Sequence, residues 1–585
     1  MRDLFLKIFL LLVLPASIPA VDLFLALSRW REFRACTAGT TPSALTFGYG
    51  ELRPGSTQSC MSSGNYSGFT VEKVPLPFAN TPAMLLYWNG LSDKSGPFRG
   101  KRVLIGQSYP AAVYAYDIDT KKVLWSHAFF EQLPGKNSMP INSSAPVVDR
   151  VRGRIYGTFI EEKFAGKKAT DSRLTQHYYS IGIDGTGAEH QKVDLAKVLL
   201  SKDTTATPQE ISKYIRCRTA LGLNLEASPP YVYSGCSVAR AFSFQGSAFV
   251  HQESYQNTKG IRGVLLALPL DPVNGHFDLR KEIGSFIPSK VGPAPEMGVD
   301  AGIWHSGGAP TLLPGNHLLF ATGNGIFRPD LEVYGCAVLR LNGSTLKLDG
   351  NDAYYFSSKG EDVAKAGQLC SISNLDPSSS SLATIERDGR YFSVIGGKDG
   401  WLKAFDPLHL PGSSASPSSE AKIVDGHLFG QPVIFPTKRN VGLVSIGGNG
   451  GNGLSWAGYK LTESYELRKR WELNSPHPRA FNSSAAGTYT DRGYSPILLI
   501  PLISGGPERP FHSSLQVVDA ENGNVLDELY YEGNSHFSMP TVVDNEVYLP
   551  TTEHGVQVFR ANSTFRDFLR HHAWIGRFVS RIVWF

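Results

Sequence analysis

Short apolar segments alternate with polar turns along most of this chain, and their lengths are typical of strands rather than helices. One recurring segment is a strand that ends in Asp, followed by a polar turn and a second strand. It occurs at Val113–Trp125, Leu265–Phe277, Trp401–Pro407 and Leu515–Leu526. We expect the carboxylate that begins each turn to accept backbone N–H groups. These aspartates are Asp117, Asp271, Asp406 and Asp519. Asn274-Gly275 and Asn522-Gly523 tolerate positive φ, which favours hairpins.

A second recurring segment begins with Ser or Gly, one further residue and Pro, and runs through apolar residues and a polar turn to another strand. It occurs at Ser144–Tyr156, Gly308–Phe320, Gly430–Phe435 and Ser538–Tyr548. The two alternating hairpin halves predict four-stranded antiparallel sheets repeated around an axis, because one such sheet cannot bury both faces without neighbours. We therefore predict an all-β β-propeller with eight blades, seven being the nearest alternative. A β-helix or two β-sandwiches would also use short strands, but the chain has no short strict period.

The composition agrees with a large folded protein. The chain has 585 residues, of which 42% are hydrophobic and 19% charged, so a sizeable core can form. The 59 glycines and 37 prolines favour many turns. A net charge of +5 gives no argument for nucleic acid as a partner.

The N-terminus is typical of a secretory signal peptide. Arg2 and Lys7 precede the apolar run Ile8–Leu14, and small residues lie near Ala20. We expect residues 1–20 to be cleaved and the protein to be secreted or to reside in the secretory-pathway lumen. The alternative is a membrane anchor that runs on to Leu27, which Asp22 interrupts. The following five Asn-x-Ser/Thr sequons suit a secreted glycoprotein: Asn65, Asn142, Asn342, Asn482 and Asn562.

Six cysteines in a secreted chain indicate disulfide bonds, although the sequence alone allows fifteen pairings. Short loops favour the pairs Cys36–Cys60, Cys217–Cys236 and Cys336–Cys370. The chain has no Cys-x-x-Cys motif, so neither a zinc ribbon nor a covalently attached haem is indicated.

The pattern divides the chain into four parts. Residues 1–20 are the predicted signal peptide, 21–95 an N-terminal extension with the first strands, 96–560 the propeller, and 561–585 a basic amphipathic tail. Four arginines fall on one helical stripe of the tail, so it suits contact with an anionic membrane surface. Packing of the tail against the propeller is the alternative.

Chemistry-bearing residues are densest in Val299–Gly325. Trp304 lies among glycines, and the apolar strand Leu318–Ala321 is followed by Asn324 between two glycines. A large ring and a carboxamide delivered from neighbouring loops suit a planar, metal-bound cofactor. Each residue also has a structural explanation, since aromatic side chains pack in cores and Asn occupies turns.

The segment around Trp125 resembles the tryptophan-docking repeat of quinoprotein propellers through Ala115, Asp117, Thr120 and Trp125, with Lys121 where glycine is usual. Over roughly residues 100 to 560, the chain is similar to the secreted quinoprotein alcohol dehydrogenases, especially the polyvinyl-alcohol-dehydrogenase-like branch. That resemblance implies pyrroloquinoline quinone (PQQ) and Ca²⁺ as cofactors, a small or polymeric alcohol as substrate, and an electron acceptor that the sequence does not identify.

The resemblance also implies roles for individual residues. Glu253 and Asn324 resemble the calcium ligands, and Trp304 resembles the platform on which the quinone stacks. Asp376 resembles the catalytic base beside the metal. The two implied basic contacts of the quinone are Arg262 and Lys398. Carboxylate and carboxamide oxygens suit Ca²⁺, and a carboxylate beside the alcohol can take its proton.

The chain departs from this family in several places. Two adjacent cysteines that the family often carries near the cofactor are replaced by Tyr255–Ile261, His305 follows the Trp where glycine is usual, and Cys336 replaces a common acidic residue. A non-catalytic secreted propeller that acts as a binding or scaffold module is therefore the alternative function. A different oxidoreductase or a lyase with another axial ligand also stays open.

Overall fold

Eight antiparallel sheets follow one another along the chain and form an eight-bladed β-propeller, which confirms the predicted fold class. The computed structural model describes residues 41–63, 65–66, 68–74, 84–108, 112–129, 144–164, 172–195, 198, 215–238, 243–245, 248–250, 263–289, 301–305, 308–356, 376–410, 418–437, 441–450, 453–474, 480–482, 484–490, 495–504, 512–535, 538–551 and 555–561. The signal peptide, the C-terminal tail from residue 562 onward, Glu253 and Arg262 lie outside the described residues.

Each blade has four strand positions, and its first strand is the one nearest the axis. Blade 1 contains Leu86–Asn89, Arg102–Ser108, Ala112–Asp117 and Lys122–Ala128; blade 2 contains Val147–Asp149, Arg154–Phe164, Ser172–Gly182 and Glu189–Lys192. Blade 3 contains Ile215–Arg216 and Gly222–Asn224 at its first position, then Tyr231–Val238, Gly263–Pro269 and Gly284–Phe286. Blade 4 contains Thr311–Leu313, His317–Ala321, Ala337–Asn342 and Leu348–Tyr355.

The second half of the ring repeats this order. Blade 5 contains Ala383–Arg387, Arg390–Gly396, Trp401–Phe405 and Ser419–Lys422. Blade 6 begins with Gly426–Leu428 and Val433–Pro436, followed by Gly442–Gly450, Gly453–Leu461 and Leu467–Asn474. Blade 7 begins with Ala480–Asn482 and Ala486–Tyr489, followed by Ile497–Ser504, His512–Asp519 and Val525–Tyr531. Blade 8 contains Thr541–Val543, Glu546–Thr551, Gly555–Ala561 and Phe69–Val74. Two short hairpins extend from the sheets: Ser243–Gln245 with Ala248–Val250, and Phe327–Arg328 with Val333–Tyr334.

The ring closes through both ends of the described chain. Phe69–Val74 is the outer strand of blade 8 and pairs antiparallel with Gly555–Ala561, from Phe69 opposite Ala561 to Val74 opposite Val556. The first strand of blade 8, Thr541–Val543, contacts the first strands of blades 1 and 7. The last blade is therefore tied to the first, and a closed ring of this kind leaves only short, protected strand edges.

Residues 41–63, called the axial segment below, run through the hub of the ring. Backbone hydrogen bonds join this segment to the first strands of blades 1, 2, 4, 5, 6 and 7, and a further bond joins it to blade 8. Examples are Val148 N to Leu45 O at 3.0 Å in blade 2 and Ile434 N to Pro54 O at 2.7 Å in blade 6. Ser56–Gln58 also pairs in parallel with the first strand of blade 7. The centre of the propeller is thus occupied by its own N-terminal chain.

Phe47 is the apolar centre of the axial segment. Its side chain is fully buried in one cluster with four alanines that precede or begin first strands: Ala145, Ala220, Ala309 and Ala486. Ala145 and Ala309 are the middle residues of the Ser/Gly-x-Pro repeats. Small side chains at these positions leave the axial volume that Phe47 fills.

Arg53 is the polar counterpart of Phe47, with a relative exposure of 1%. Its Nε donates to Pro310 O at 3.1 Å, and its Nη1 donates to Thr46 Oγ1 at 2.5 Å and to Phe47 O at 2.6 Å. Burial lowers the pKa of Arg53 to about 9, so the guanidinium still carries its charge at neutral pH. A buried cation satisfied by carbonyl oxygens holds the axial segment in one register against blade 4.

The turns that follow the third strands of blades 1, 3, 5 and 7 behave as the sequence predicts. Asp117 Oδ1 accepts the N–H groups of Asp119 and Thr120, and Asp519 Oδ1 accepts those of Glu521 and Asn522, all between 2.9 and 3.3 Å. Asp271 and Asp406 act in the same way. Gly275 and Gly523 have φ of 72° and 78°, which confirms the predicted positive φ.

Two tryptophans join neighbouring blades through these turns. Trp125 of blade 1 donates its indole N–H to Ile183 O of blade 2 at 2.9 Å. Trp471 of blade 6 donates to Ala520 O of blade 7 at 2.8 Å, and a Cβ added to Gly523 would lie 2.7 Å from its ring. Trp471 repeats the role of Trp125, although the sequence pattern singled out only Trp125.

The disulfide bond Cys217–Cys236 is formed and confirms one predicted pair. Cys60 and Cys336 are also disulfide-bonded, while Cys36 and Cys370, their predicted partners, lie outside the described residues. None of the helical segments in the described ranges has the length and apolarity that a bilayer crossing requires.

One predicted glycosylation sequon lies in the folded interior. Asn65 is buried, its Nδ2 donates to Cys60 O at 2.8 Å, and its Oδ1 accepts the N–H of Ser62 at 2.8 Å. The folded protein therefore does not offer this amide nitrogen to solvent. Asn142 and Asn562 lie outside the described residues.

Replacing Phe47 with Ala should lower the free energy of unfolding by about 3–5 kcal/mol, because it empties a buried volume that several blades share. Thermal unfolding followed by circular dichroism measures the change. Val273→Ala is the matched control, since Val273 is 86% exposed and should cost less than about 0.5 kcal/mol. Equal melting temperatures for the two variants would contradict the inference that the Phe47 side chain stabilises the hub.

Replacing Gly523 with Ala should destabilise the protein more than replacing Gly389 with Ala. Both glycines have a left-handed φ, 78° and 74°, so both variants incur about 1–2 kcal/mol of backbone strain. Only the Cβ at position 523 meets the ring of Trp471, whereas nothing lies within 4 Å of a Cβ at 389. The expected signature in near-ultraviolet circular dichroism is a change in the tryptophan bands of Gly523→Ala alone; indistinguishable melting curves and spectra would argue against the docking contact.

Candidate functional site

The described candidate residues lie at one end of blades 4 and 5. Trp304 precedes the first strand of blade 4 and Asn324 follows its second strand; Asp376 and Lys398 hold the equivalent places in blade 5. In an antiparallel sheet, the start of the first strand and the end of the second lie at the same edge. The blade repeat therefore delivers all four side chains to the same face of the ring.

Asn324, Asp376 and Lys398 form one contiguous cluster. The backbone N–H of Asp376 donates to Asn324 Oδ1 at 3.0 Å. Lys398 Nζ lies 2.9 Å from Asp376 Oδ2, and Ser378 Oγ donates to Asp376 Oδ1 at 2.7 Å. The Asp376 side chain is 7% exposed and that of Lys398 20%, so this ion pair is largely shielded from water.

Glycines allow the turns of the two blades to come this close. Gly323 N donates to Gly302 O at 2.6 Å, which joins the turn of Asn324 to the segment of Trp304. A Cβ at Gly323 would lie 2.9 Å from Asp376 Oδ1, and one at Gly302 would lie 2.7 Å from Trp304 Nε1. A side chain at position 323 would displace the Asp376 carboxylate, and a side chain at position 302 would displace the Trp304 indole.

Arg218 is a further member of the site that the sequence pattern did not reveal. Its guanidinium carbon lies 5.2 Å from the centre of the Trp304 ring, a cation–π distance. It lies between Ile215–Arg216 and Gly222–Asn224, the two segments at the first position of blade 3. Its position directly after Cys217 is the signal that was available in the sequence.

His305 connects the site to the hub. It is fully buried with a left-handed φ of 48°, the conformation that explains why glycine is usual at this place in the family that the sequence resembles. Its Nε2 accepts the N–H of Ala321 at 3.0 Å. Burial lowers the pKa of His305 to about 4, and the positive charge of Arg53 adds to this, while Asp376 opposes it. The imidazole is therefore neutral at physiological pH.

The side chains at this site are of the chemical types that the predicted cofactors require. The Asn324 and Asp376 oxygens are hard ligands of the type that Ca²⁺ takes. Trp304, half-buried beside backbone glycines, offers a ring face for a planar group. Within the described ranges, no group of three or more His, Cys, Asp and Glu side chains gathers as a metal site. The remaining predicted contacts, Glu253 and Arg262, lie outside those ranges.

No protein-family model and no curated protein sequence matches this chain. Among solved structures, it is similar to the quinohaemoprotein alcohol dehydrogenase from Comamonas testosteroni, with 12% identity, a TM-score of 0.51, and coverage of 93% of this chain and 84% of that chain. It is also similar to BamB from Moraxella catarrhalis (9% identity, 84% and 100% covered, TM-score 0.42) and to a europium-containing methanol dehydrogenase (10% identity, 87% and 81% covered, TM-score 0.39). At such identities, the first similarity establishes the propeller fold alone.

Acid should destabilise the protein partly through His305. The unfolded imidazole binds a proton below about pH 6.5, whereas the folded one does so only below about pH 4, so unfolding takes up a proton between these values. The free energy of unfolding should fall across this window by up to about 3 kcal/mol more in the wild type than in His305→Asn, a residue that tolerates left-handed φ. Chemical denaturation at several pH values measures the difference.

The matched control for this titration is Val273→Ala, because Val273 is 86% exposed and carries no titratable group. It should leave the pH dependence of the wild type unchanged. A His305→Asn variant that loses stability between pH 6.5 and 4 as steeply as the wild type would contradict the assignment.

Proposed function

We propose that this protein is an oxidoreductase that oxidises an alcohol with PQQ and Ca²⁺. The observation that carries the proposal is the cluster of Asn324, Asp376 and Lys398, which come from two blades and meet beside Trp304. The resemblance in sequence marks these residues as one site, although Trp304 and Lys398 are 94 positions apart. The propeller fold, similar to that of a quinohaemoprotein alcohol dehydrogenase, supports the same function.

Each residue has a chemical role in this proposal. Asn324 and Asp376, together with Glu253, would hold the calcium ion, and Trp304 would carry the planar cofactor. Lys398 and Arg262 are its basic contacts. A bound quinone would supply a two-electron, hydride-accepting group, and calcium would supply a Lewis acid beside it.

Asp376 removes the proton of the substrate hydroxyl. Ser378 donates to Oδ1 and Lys398 Nζ pairs with Oδ2 at 2.9 Å, so each carboxylate oxygen carries one of these donors and has a further lone pair that can receive the proton. The alcohol then loses one proton and one hydride and becomes a carbonyl compound. Because the side chains of Asp376 and Lys398 are largely shielded from solvent, water does not compete for that proton.

The resemblance to the polyvinyl-alcohol-dehydrogenase-like branch extends the proposal to small or polymeric secondary alcohols as substrates and to an external electron acceptor. The disulfide bond Cys217–Cys236 supports folding in an oxidising compartment, consistent with secretion.

The basic tail 561–585 is proposed to contact an anionic membrane surface.

A non-catalytic binding module is the second candidate function. Its support is that the cluster satisfies itself: Lys398 neutralises Asp376, and Arg218 covers a face of Trp304. Such a site can be stable without a cofactor. The two functions differ in whether the protein binds and uses a quinone.

Asp376→Asn should abolish dye-linked alcohol oxidation, by at least about 10²-fold as for the loss of a general base, while the fold is retained. The assay uses the full chain incubated with PQQ and Ca²⁺, with secondary alcohols and an artificial electron-accepting dye. Asp425→Asn is the control, because that carboxylate is 99% exposed and should leave the rate unchanged. Unchanged turnover in Asp376→Asn would remove the residue from the catalytic role.

Cofactor binding itself separates the two candidate functions. A ligand present at about 100 times its Kd adds roughly 2.7 kcal/mol to the free energy of unfolding, so PQQ with Ca²⁺ should raise the melting temperature of the wild type. An unchanged melting temperature would favour the binding module.

A further inference from the structure

The contact between Arg218 and Trp304 lies outside the set of residues assigned to the proposed chemistry. The guanidinium carbon is 5.2 Å from the ring centre, and both residues are half-buried. Guanidinium is planar, stacks on aromatic faces and binds carboxylates through paired N–H groups. Arg218 can therefore either stack on the Trp304 ring or pair with a carboxylate of a planar ligand that stacks there.

The backbone that carries Arg218 is held from both sides. Cys217 before it is joined to Cys236 by the disulfide bond, and Thr219 after it exchanges hydrogen bonds with Gly235, at 2.7 Å from Gly235 N and 3.1 Å to Gly235 O. Ala220 N then donates to Gly308 O of blade 4 at 3.0 Å. The backbone of Arg218 is thus fixed beside Trp304, and the residue reaches the indole through its side chain.

The distance leaves no room for a ring between guanidinium and indole. Stacked planar groups lie about 3.5 Å apart, so an inserted ring would need a separation of about 7 Å. A ligand that stacks on this face must displace the guanidinium and lose its cation–π contact. A carboxylate on the ligand compensates for that loss, because it pairs with the displaced guanidinium at the edge of the ring.

We propose that Arg218 restricts the Trp304 platform to planar aromatic ligands that carry carboxylates. Its side chain covers the indole face in the free protein and moves to the ligand carboxylate on binding. The inference rests on the proposed function, since it deepens the choice of cofactor at the same site: PQQ is a planar tricarboxylate, whereas an uncharged quinone of similar shape gives Arg218 no partner.

The test compares PQQ with its uncharged trimethyl ester. Each is titrated into the full-length protein in the presence of Ca²⁺ at fixed ionic strength, and binding is read from isothermal titration calorimetry and from quenching of tryptophan fluorescence. The wild type should bind PQQ at least 10-fold more tightly than the ester. Arg218→Met should weaken PQQ binding at least 10-fold and leave ester binding unchanged or tighter, while Arg218→Lys should keep part of the preference.

Arg390→Met is the matched control. The Arg390 guanidinium lies 5.2 Å from the Phe392 ring centre in blade 5, so this variant removes a cation–π contact of the same length elsewhere. It should bind both ligands as the wild type does. Melting curves of all variants confirm that the protein is folded, and Arg218→Lys keeps the comparison informative if Arg218→Met unfolds.

The outcomes separate this inference from the proposed function. Equal binding of PQQ and ester by the wild type, or a preference that survives in Arg218→Met, overturns the role of Arg218 even if alcohol oxidation is observed. A preference that depends on Arg218 in a protein without alcohol oxidation supports the role of Arg218 and overturns the enzyme. Binding of neither ligand overturns both.

Discussion

Backbone hydrogen bonds from the first strands of six blades, and one more from blade 8, converge on residues 41–63 at the axis of the ring. Phe47 fills the space that small residues of the blades leave, and Arg53 ties the same segment to Pro310 and to its own carbonyl oxygens. The hub is therefore a packed core shared by the blades and not an open channel. Closure of blade 8 by Phe69–Val74 completes the ring around it.

The candidate site lies directly against this core. Arg53 and Asp376 act with opposite sign on the pKa of His305, so the charge in the axial segment and the charge in the site are both felt by one buried imidazole. Blades 4 and 5 contribute turns with the same place in the repeat, which explains how Asn324, Asp376 and Lys398 come together. Geometry of this kind can hold a cofactor or support a purely structural ion pair, and the binding experiments separate the two.

Much of this organisation could be predicted because it follows from local chemistry. Asp117 and Asp519 begin turns that need a side-chain acceptor, and Gly523 follows where φ must be positive. The meeting of Asn324 with Asp376 followed from the repeat once the family resemblance had marked these residues. Long-range features left no such signal: Phe47 and Arg53 lie in a segment without strand periodicity, and their burial depends on blades that are distant in sequence. Arg218 was missed because its position directly after Cys217 does not show that the order of blades places it over Trp304.

The pairing of Phe69–Val74 with Gly555–Ala561 has a consequence for biosynthesis. At about 5–20 residues per second, roughly half a minute to two minutes pass between translation of the first strand and of its partner. Throughout that interval, the axial segment has no assembled hub to enter, and the early blades present unpaired edges. A truncation near the C-terminus would therefore deprive the N-terminal strand of its partner rather than remove a peripheral piece.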